Sequence, residues 1–181
     1  MDAWEQLRWL FDTDDGGLYD IRLAGLDESG VVAAFEFIRA RSAVTPDARF
    51  WHTGLERDEL VADYPDAARL VVRGVAEAFH VLAPGLAFAG VTLPDLGVFV
   101  WPDEVTLDYR MGPEWGPPEL TALFEFLRQL VAVAGGRVEL GSGVGATVSQ
   151  QFAGELKAYS ARCAAEAEPS AAADRGLGSD S

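Results

Sequence analysis

Few residues in this sequence have the types and spacing that metal or redox chemistry requires. The chain contains two histidines, His52 and His80, and a single cysteine, Cys163. They lie far apart and form no HxxxH, CxxC or HExxH pattern, the spacings that bring metal ligands together. His80 follows Phe79 in a run with helical spacing, which is typical of a histidine in the core or on the flank of a helix. His52, beside Trp51, is the better candidate of the two for a pocket residue. The sequence therefore predicts no metal site and no cofactor.

Covalent and acid–base catalysis have no stronger candidates. Ser142 lies between Gly141 and Gly143, a spacing that differs from the Gly-x-Ser-x-Gly turn of hydrolases. Adjacent carboxylates such as Asp14-Asp15 and Asp58-Glu59 could exchange protons, yet a chain with 29 acidic residues is expected to carry such pairs on its solvated surface. An enzyme is therefore an alternative here and not the leading prediction.

The most specific local pattern is Val138-Glu139-Leu140-Gly141-Ser142-Gly143-Val144-Gly145-Ala146. It resembles the first motif of the S-adenosylmethionine-dependent methyltransferases, in which a glycine-rich turn lets the backbone approach the cofactor closely. The resemblance implies a Rossmann-like domain with the cofactor beside Gly141–Gly145. Only 36 residues follow this turn, whereas the family places well over a hundred after it. A degenerate methyltransferase is therefore the least favoured alternative, and the glycines are interpreted as a connection to a C-terminal helix.

Composition and charge narrow the class of partner. Lys and Arg number 14 against 29 Asp and Glu, giving a formal net charge of −15, which repels nucleic acid and anionic membrane surfaces. The same charge suits a basic protein partner, and it also suits plain solubility. No leader pattern opens the chain, and no apolar run approaches the roughly 20 residues of a membrane span. The sequence predicts a cytoplasmic protein with no membrane or nucleic-acid partner.

Aromatic residues in turn-rich segments are the best indication of a binding surface. Tryptophan in a loop rich in Gly and Pro is less easily explained by core packing than tryptophan in a helix, and aromatic anchors beside acids are typical of protein interfaces. The predicted partner-binding residues are Trp51, His52, Trp101, Asp103, Glu104, Glu114 and Trp115. The alternative is that Trp101 and Trp115 fold back to cover the open end of a sheet.

These residues must be held by elements that hydrophobic periodicity predicts. Helical spacing indicates helices over Trp4–Phe11, Val31–Ile38, Leu70–Leu82, Leu120–Ala134 and Val148–Cys163. Alternating or β-rich runs indicate strands over Leu18–Leu23, Leu86–Leu93, Gly97–Trp101, Val105–Met111 and Arg137–Leu140. The short run Arg49–Thr53 suits either a strand or an extended loop. The predicted fold is α+β, with a mixed, mainly antiparallel sheet of five or six strands and helices packed on one face.

Residues 1–164 are predicted to form a single domain, and residues 165–181, which carry little to bury, a disordered tail. One internal echo bears on the topology of this domain. Asp20-Ile21-Arg22 recurs as Asp108-Tyr109-Arg110 after 88 residues, and Phe35–Arg39 resembles Phe124–Arg128 after 89. Two duplicated strand–helix units would give a ferredoxin-like sandwich, although any amphipathic helix on a sheet produces similar short patterns.

Three functional hypotheses follow from these observations. The leading one is a non-enzymatic cytosolic interaction module, of the immunity or inhibitor type, that neutralises a basic protein. The second is a small-molecule-binding domain with a pocket between sheet and helices near Trp51, His52 and Tyr109. The third is an enzyme, of which the degenerate methyltransferase is the most specific version.

Overall fold

Residues 2–167, which the computed structural model describes, form an α+β fold of five α-helices and nine strands. The helices are α1 (Ala3–Leu7), α2 (Glu28–Arg39), α3 (Ala67–Val72), α4 (Pro117–Ala134) and α5 (Ala146–Ala167). The strands are β1 (Leu18–Ala24), β2 (Arg49–His52), β3 (Arg57–Leu60), β4 (Phe79–Ala83), β5 (Ala87–Phe88), β6 (Val91–Thr92), β7 (Leu96–Val100), β8 (Glu104–Arg110) and β9 (Arg137–Leu140). The α+β class predicted from periodicity is confirmed.

The main sheet has five strands in the order β4-β7-β8-β1-β9, and every neighbouring pair is antiparallel. β8, α4 and β9 form a split β-α-β unit, because β1 lies between the two strands that α4 connects. Two small hairpins, β2–β3 and β5–β6, accompany this sheet. The predicted sheet of five or six strands is thus present, with antiparallel pairing throughout.

The internal echo coincides with the geometry at the centre of the fold. β1 and β8 pair so that Asp20 lies directly opposite Asp108. These two residues occupy equivalent positions in the echo, 88 residues apart. Phe37 on α2 stacks with Phe126 on α4 with ring centroids 6.3 Å apart, and this pair is separated by 89 residues. The two strand–helix units therefore face each other about a local twofold relation, while their origin by duplication stays a prediction.

One face of the sheet is buried beneath the helices. Phe35 on α2 packs edge-on against Phe79 on β4 at 5.2 Å. Gly30 permits the close crossing of α2 and α4, since a β-carbon there would lie 2.6 Å from the Ala134 carbonyl oxygen. Alternate strand residues such as Val98 and Leu107 are almost fully buried in this core. The intervening residues necessarily point to the opposite face.

The helix predicted over Leu70–Leu82 is wrong in its second half. α3 ends at Val72, Gly74 adopts a positive φ of 68°, and the chain re-enters the sheet as β4. In β4 the buried residues alternate with exposed ones, so His80 lies on a strand and not on a helix. The apolar residues in this segment fit both periods, and pairing with β7 decides between them.

The single strand predicted over Leu86–Leu93 is also replaced, by the short hairpin β5–β6. Ala89 and Gly90 both have positive φ, which reverses the chain in the middle of the apolar run. At the C-terminus, residues 165–167 continue α5, and the remaining residues of the predicted tail, 168–181, lie outside the described part of the chain. Within residues 2–167, no helix is both long and apolar enough to cross a membrane.

Candidate functional site

The sheet face opposite the helices carries a mixture of aromatic and charged side chains, and we call it the open face. One row of cross-strand partners spans all five strands of the sheet. In strand order from β4 to β9 this row consists of His80, Phe99, Thr106, Arg22 and Glu139. The next row consists of Leu82, Gly97, Asp108 and Asp20. Trp101 and Glu104 lie beyond the first row, at the β7–β8 turn.

The aromatic side chains form a continuous strip along this face. Trp101 stacks on Phe99 with ring centroids 5.5 Å apart and an interplanar angle of 18°. Phe99 in turn contacts the His80 ring at 4.3 Å. Trp101 is 38% exposed and Leu82 on the adjacent row is 42% exposed. The strip therefore offers flat apolar area to a binding partner.

His80 and Asp108 contact each other across β7, and this contact requires a glycine on the strand between them. His80 Nε2 lies 2.8 Å from an Asp108 carboxylate oxygen, although the two residues are on β4 and β8 with β7 between them. A β-carbon on Gly97 of β7 would collide with both groups. Gly97 therefore allows the two side chains to meet over the sheet backbone.

Carboxylates dominate the charged part of the open face. Burial, and next the nearby charge of Asp108, raise the pKa of Asp20 above its ordinary range. Arg22 is engaged elsewhere, in ion pairs with Glu104 and, at 3.8 Å, with Glu139. The hydrogen bond from Arg22 lowers the pKa of Glu104. Asp108 contacts His80, whereas Asp20 forms no ion pair within residues 2–167, so Asp20 is the carboxylate of this pair that is left without a cationic partner.

Replacing Asp20 by asparagine is expected to stabilise the protein at neutral pH. A pKa raised by folding contributes stability below the ordinary Asp range, and that contribution is lost as the pH rises through the raised pKa. Asp20→Asn removes this loss and should therefore raise the free energy of unfolding at pH 7. The increase should be roughly 0.2–1 kcal/mol, because the repulsion between like charges on adjacent strands is partly screened by solvent. Urea unfolding at pH 7 and pH 3 measures the difference, which should shrink at pH 3. An equal difference at both pH values would contradict the assignment.

The glycine-rich loop borders the open face. A depression of about 300 Å³ lies between Trp101, Arg22 and the Gly141-Ser142 backbone. The Gly141 N–H donates to the Asp20 carbonyl at 2.8 Å, which ties the loop to β1. The loop and the aromatic strip thus line the same depression.

The methyltransferase resemblance is not accompanied by the fold that it implies. β9 is an edge strand of an antiparallel sheet, whereas the family's motif follows a strand of a parallel Rossmann sheet. Glu139, the acidic strand residue of the motif, is engaged in ion pairs with Arg22 and Arg137. The Rossmann-like domain that the resemblance implies is therefore not the fold of residues 2–167, and the glycines connect β9 to α5, as their interpretation as a connection to a C-terminal helix predicts. In residues 2–167 no group of three or more His, Cys, Asp or Glu is placed to hold a metal ion.

The predicted site residues separate into three places. Trp101 and Glu104 lie on the open face, and Asp103 is exposed in the turn between them. Trp51 is 40% exposed on the β2–β3 hairpin, which reaches the start of β4 through a hydrogen bond of 3.0 Å from Glu77 N–H to the Trp51 carbonyl. His52 lies on the same strand. The hairpin therefore flanks the β4 side of the sheet.

Trp115 is buried in the core, so it is not one of the exposed aromatic residues. It is 4% exposed, its ring contacts Phe11 at 5.0 Å and Tyr109 at 5.4 Å, and its indole N–H donates to the Arg110 carbonyl. Glu114 of the same loop is exposed. This arrangement matches the alternative in which a loop tryptophan folds back onto the sheet.

The pocket hypothesis near Trp51, His52 and Tyr109 is also not supported. Tyr109 is buried on the helix side, where its hydroxyl donates to the Leu10 carbonyl at 3.1 Å. His52 instead lies near Phe50 and Tyr64 on the β2 side of the fold. The three residues do not line a common cavity because different parts of the structure hold them.

Sequence reasoning missed most of the open face. Its residues Asp20, Arg22, His80, Phe99 and Asp108 are spread over four strands, so no local motif joins them. The usable signal was alternation within strands, which puts Asp20 and Arg22 on one face of β1 and the buried residues Ile21 and Leu23 on the other. For His80 that signal was hidden by the competing helical period.

Comparisons with known proteins add little to this site. No protein-family model and no curated protein matches the chain. A similar solved chain comes from the crystal structure of the toxic C-terminal tip of CdiA from Pseudomonas aeruginosa in complex with immune protein. The match has 17% sequence identity and a TM-score of 0.49, and covers 68% of this chain and 84% of that chain. A similarity this loose assigns no function.

Proposed function

We propose that this protein is a non-enzymatic interaction module that binds a basic protein through the open face, as an immunity or inhibitor protein does. The observation that carries the proposal is the direct opposition of Asp20 and Asp108 beside an exposed aromatic strip. Like charges facing each other across a strand pair destabilise a sheet. Asp108 is 8% exposed and contacts His80, whereas Asp20 is exposed on this face, so a cationic partner that pairs with Asp20 would relieve the repulsion.

A lysine or arginine side chain of the partner fits this face in two ways. Its charge would pair with Asp20, whose pKa is raised by burial and by Asp108, and so relieve the repulsion. Its aliphatic stem or guanidinium plane would lie on Phe99 and Trp101, where cation–π attraction adds to apolar contact. The combination of aromatic anchors and acids suits a basic segment better than a neutral metabolite.

The charge of the whole chain favours the same class of partner. A net charge of −15 steers a basic protein toward the surface and raises the association rate at low ionic strength. Salt shortens the range of this attraction to about 8 Å at 0.15 M and about 3 Å at 1 M. Binding is therefore expected to weaken markedly as salt is added.

Co-purification of tagged protein from its own cells tests the proposal, with every stoichiometric companion identified by mass spectrometry at low and high salt. Asp20→Lys reverses a charge on the open face, and Asp63→Lys makes the same change at an exposed position on the 3₁₀ turn Val61–Asp63. We expect a basic companion with wild type and Asp63→Lys at low salt, and its loss with Asp20→Lys or at high salt. Recovery of the protein alone under both conditions, or equal retention by both variants, would overturn the proposal.

A further inference from the structure

The edge strand β9 has one unused backbone position at its centre. In an antiparallel ladder, hydrogen-bonded residues alternate with residues whose N–H and C=O groups point away from the partner strand. Gly141 N–H donates to the Asp20 carbonyl on β1. The β9 residues that bond to β1 are therefore Gly141 and every second residue before it, Glu139 and Arg137. The N–H and C=O groups of Val138 and Leu140 therefore point away from β1. The Leu140 N–H is bonded to Ser149 Oγ at 3.3 Å, which leaves the Val138 amide directed outward.

An apolar groove lies beside this edge, on the helix side of the sheet. It has a volume of about 440 Å³ and is bounded by α4, α5 and β9, with Val131, Val138 and Leu156 among its apolar lining residues. Open sheet edges next to apolar surface are sites at which another strand adds to the sheet.

The charges on β9 are self-complementary. Arg137 and Glu139 flank Val138 and project to the same face of the strand, where they now contact each other at 2.5 Å. If two β9 strands pair antiparallel about a twofold axis at Val138, each Arg137 lies opposite Glu139 of the other copy. The two Val138 residues then exchange N–H to C=O hydrogen bonds.

We propose that β9 pairs with β9 of a second copy of this chain, joining two five-stranded sheets into one and covering both apolar grooves. A basic partner does not suit this edge, because Arg128 and Lys157 of the helices also line the groove. The self-complementary order Arg-Val-Glu selects an identical strand instead, as twofold interfaces require. The dimer uses only the β9 border of the open face and leaves Asp20 and the aromatic strip unoccupied, so it does not rest on the proposed function.

Sedimentation equilibrium of the full chain tests the dimer, expected at twice the 19.4 kDa chain mass. Arg137→Glu or Glu139→Arg alone places like charges opposite each other twice and should raise the Kd about tenfold or more. An equimolar mixture of the two variants restores opposite charges in the heterodimer and should recover wild-type affinity. Failure of the mixture to recover it would overturn the proposal, as would wild-type protein that is monomeric at about 0.1 mM.

A second variant tests the backbone contact. Val138→Pro removes the outward N–H, and the β1–β9 ladder does not use that group. We expect this variant to be monomeric, with far-UV circular dichroism and an unfolding midpoint close to those of wild type. A dimer that persists in Val138→Pro would show that the copies associate through another surface.

Discussion

Replacing Trp115 by alanine is expected to lower the free energy of unfolding by about 3–5 kcal/mol, the usual cost of removing a large aromatic side chain from a core. Trp115 is 4% exposed and packs against Phe11 and Tyr109. The substitution would also leave the Arg110 carbonyl without the indole N–H that it now accepts. Urea denaturation followed by far-UV circular dichroism gives the free energy directly.

Trp101→Ala is the matched control, because it deletes the same side chain at a position that is 38% exposed. Its expected cost is below about 1 kcal/mol, the range of substitutions away from the core. If Trp115→Ala lowered the free energy of unfolding as little as Trp101→Ala, the packing of the loop between β8 and α4 described above would be contradicted.

Trp101→Ala is instead expected to weaken binding of the basic partner by about 30-fold or more, the loss of about 2 kcal/mol typical of an aromatic hot spot. Trp101 and the ring of Phe99 form the flat part of the open face. Titration calorimetry or surface plasmon resonance with the companion protein measures the change in Kd.

Trp9→Ala controls for the loss of an exposed indole, since Trp9 is 48% exposed on the 3₁₀ turn after α1, away from the open face. It should leave the Kd unchanged. Equal effects of Trp9→Ala and Trp101→Ala would remove the open face from the interface.

The two tryptophans have similar sequence surroundings, and the tertiary structure separates their roles. Both lie beside proline and acidic residues, so local composition predicted one role for both. Trp115 is buried because the chain after β8 folds back, so that its indole contacts Tyr109 of β8 and Phe11 of the N-terminal segment. Trp101 directly follows β7 and lies on the other side of the sheet, where it stacks on Phe99. The distinction depends on contacts between distant segments.

Helices and strands with one unambiguous period were predicted well. α4 repeats its apolar residues at helical spacing over 18 residues, and that period has no competing interpretation as a strand. The segment Val75–Leu82 satisfies both periods, and its strand β4 exists because β7 is available to pair with it. A short apolar run cannot choose between helix and strand without a partner.

By itself, the sequence determined the α+β class, helix α4, the net charge and the lack of a metal-ligand or nucleophile motif, because each depends on composition or on neighbours within a few turns. Only the tertiary structure decided that Asp20 faces Asp108, that His80 reaches across Gly97, and that β9 is an edge. These features depend on strand order and register. Both are set by packing between residues far apart in the chain, which local patterns do not record.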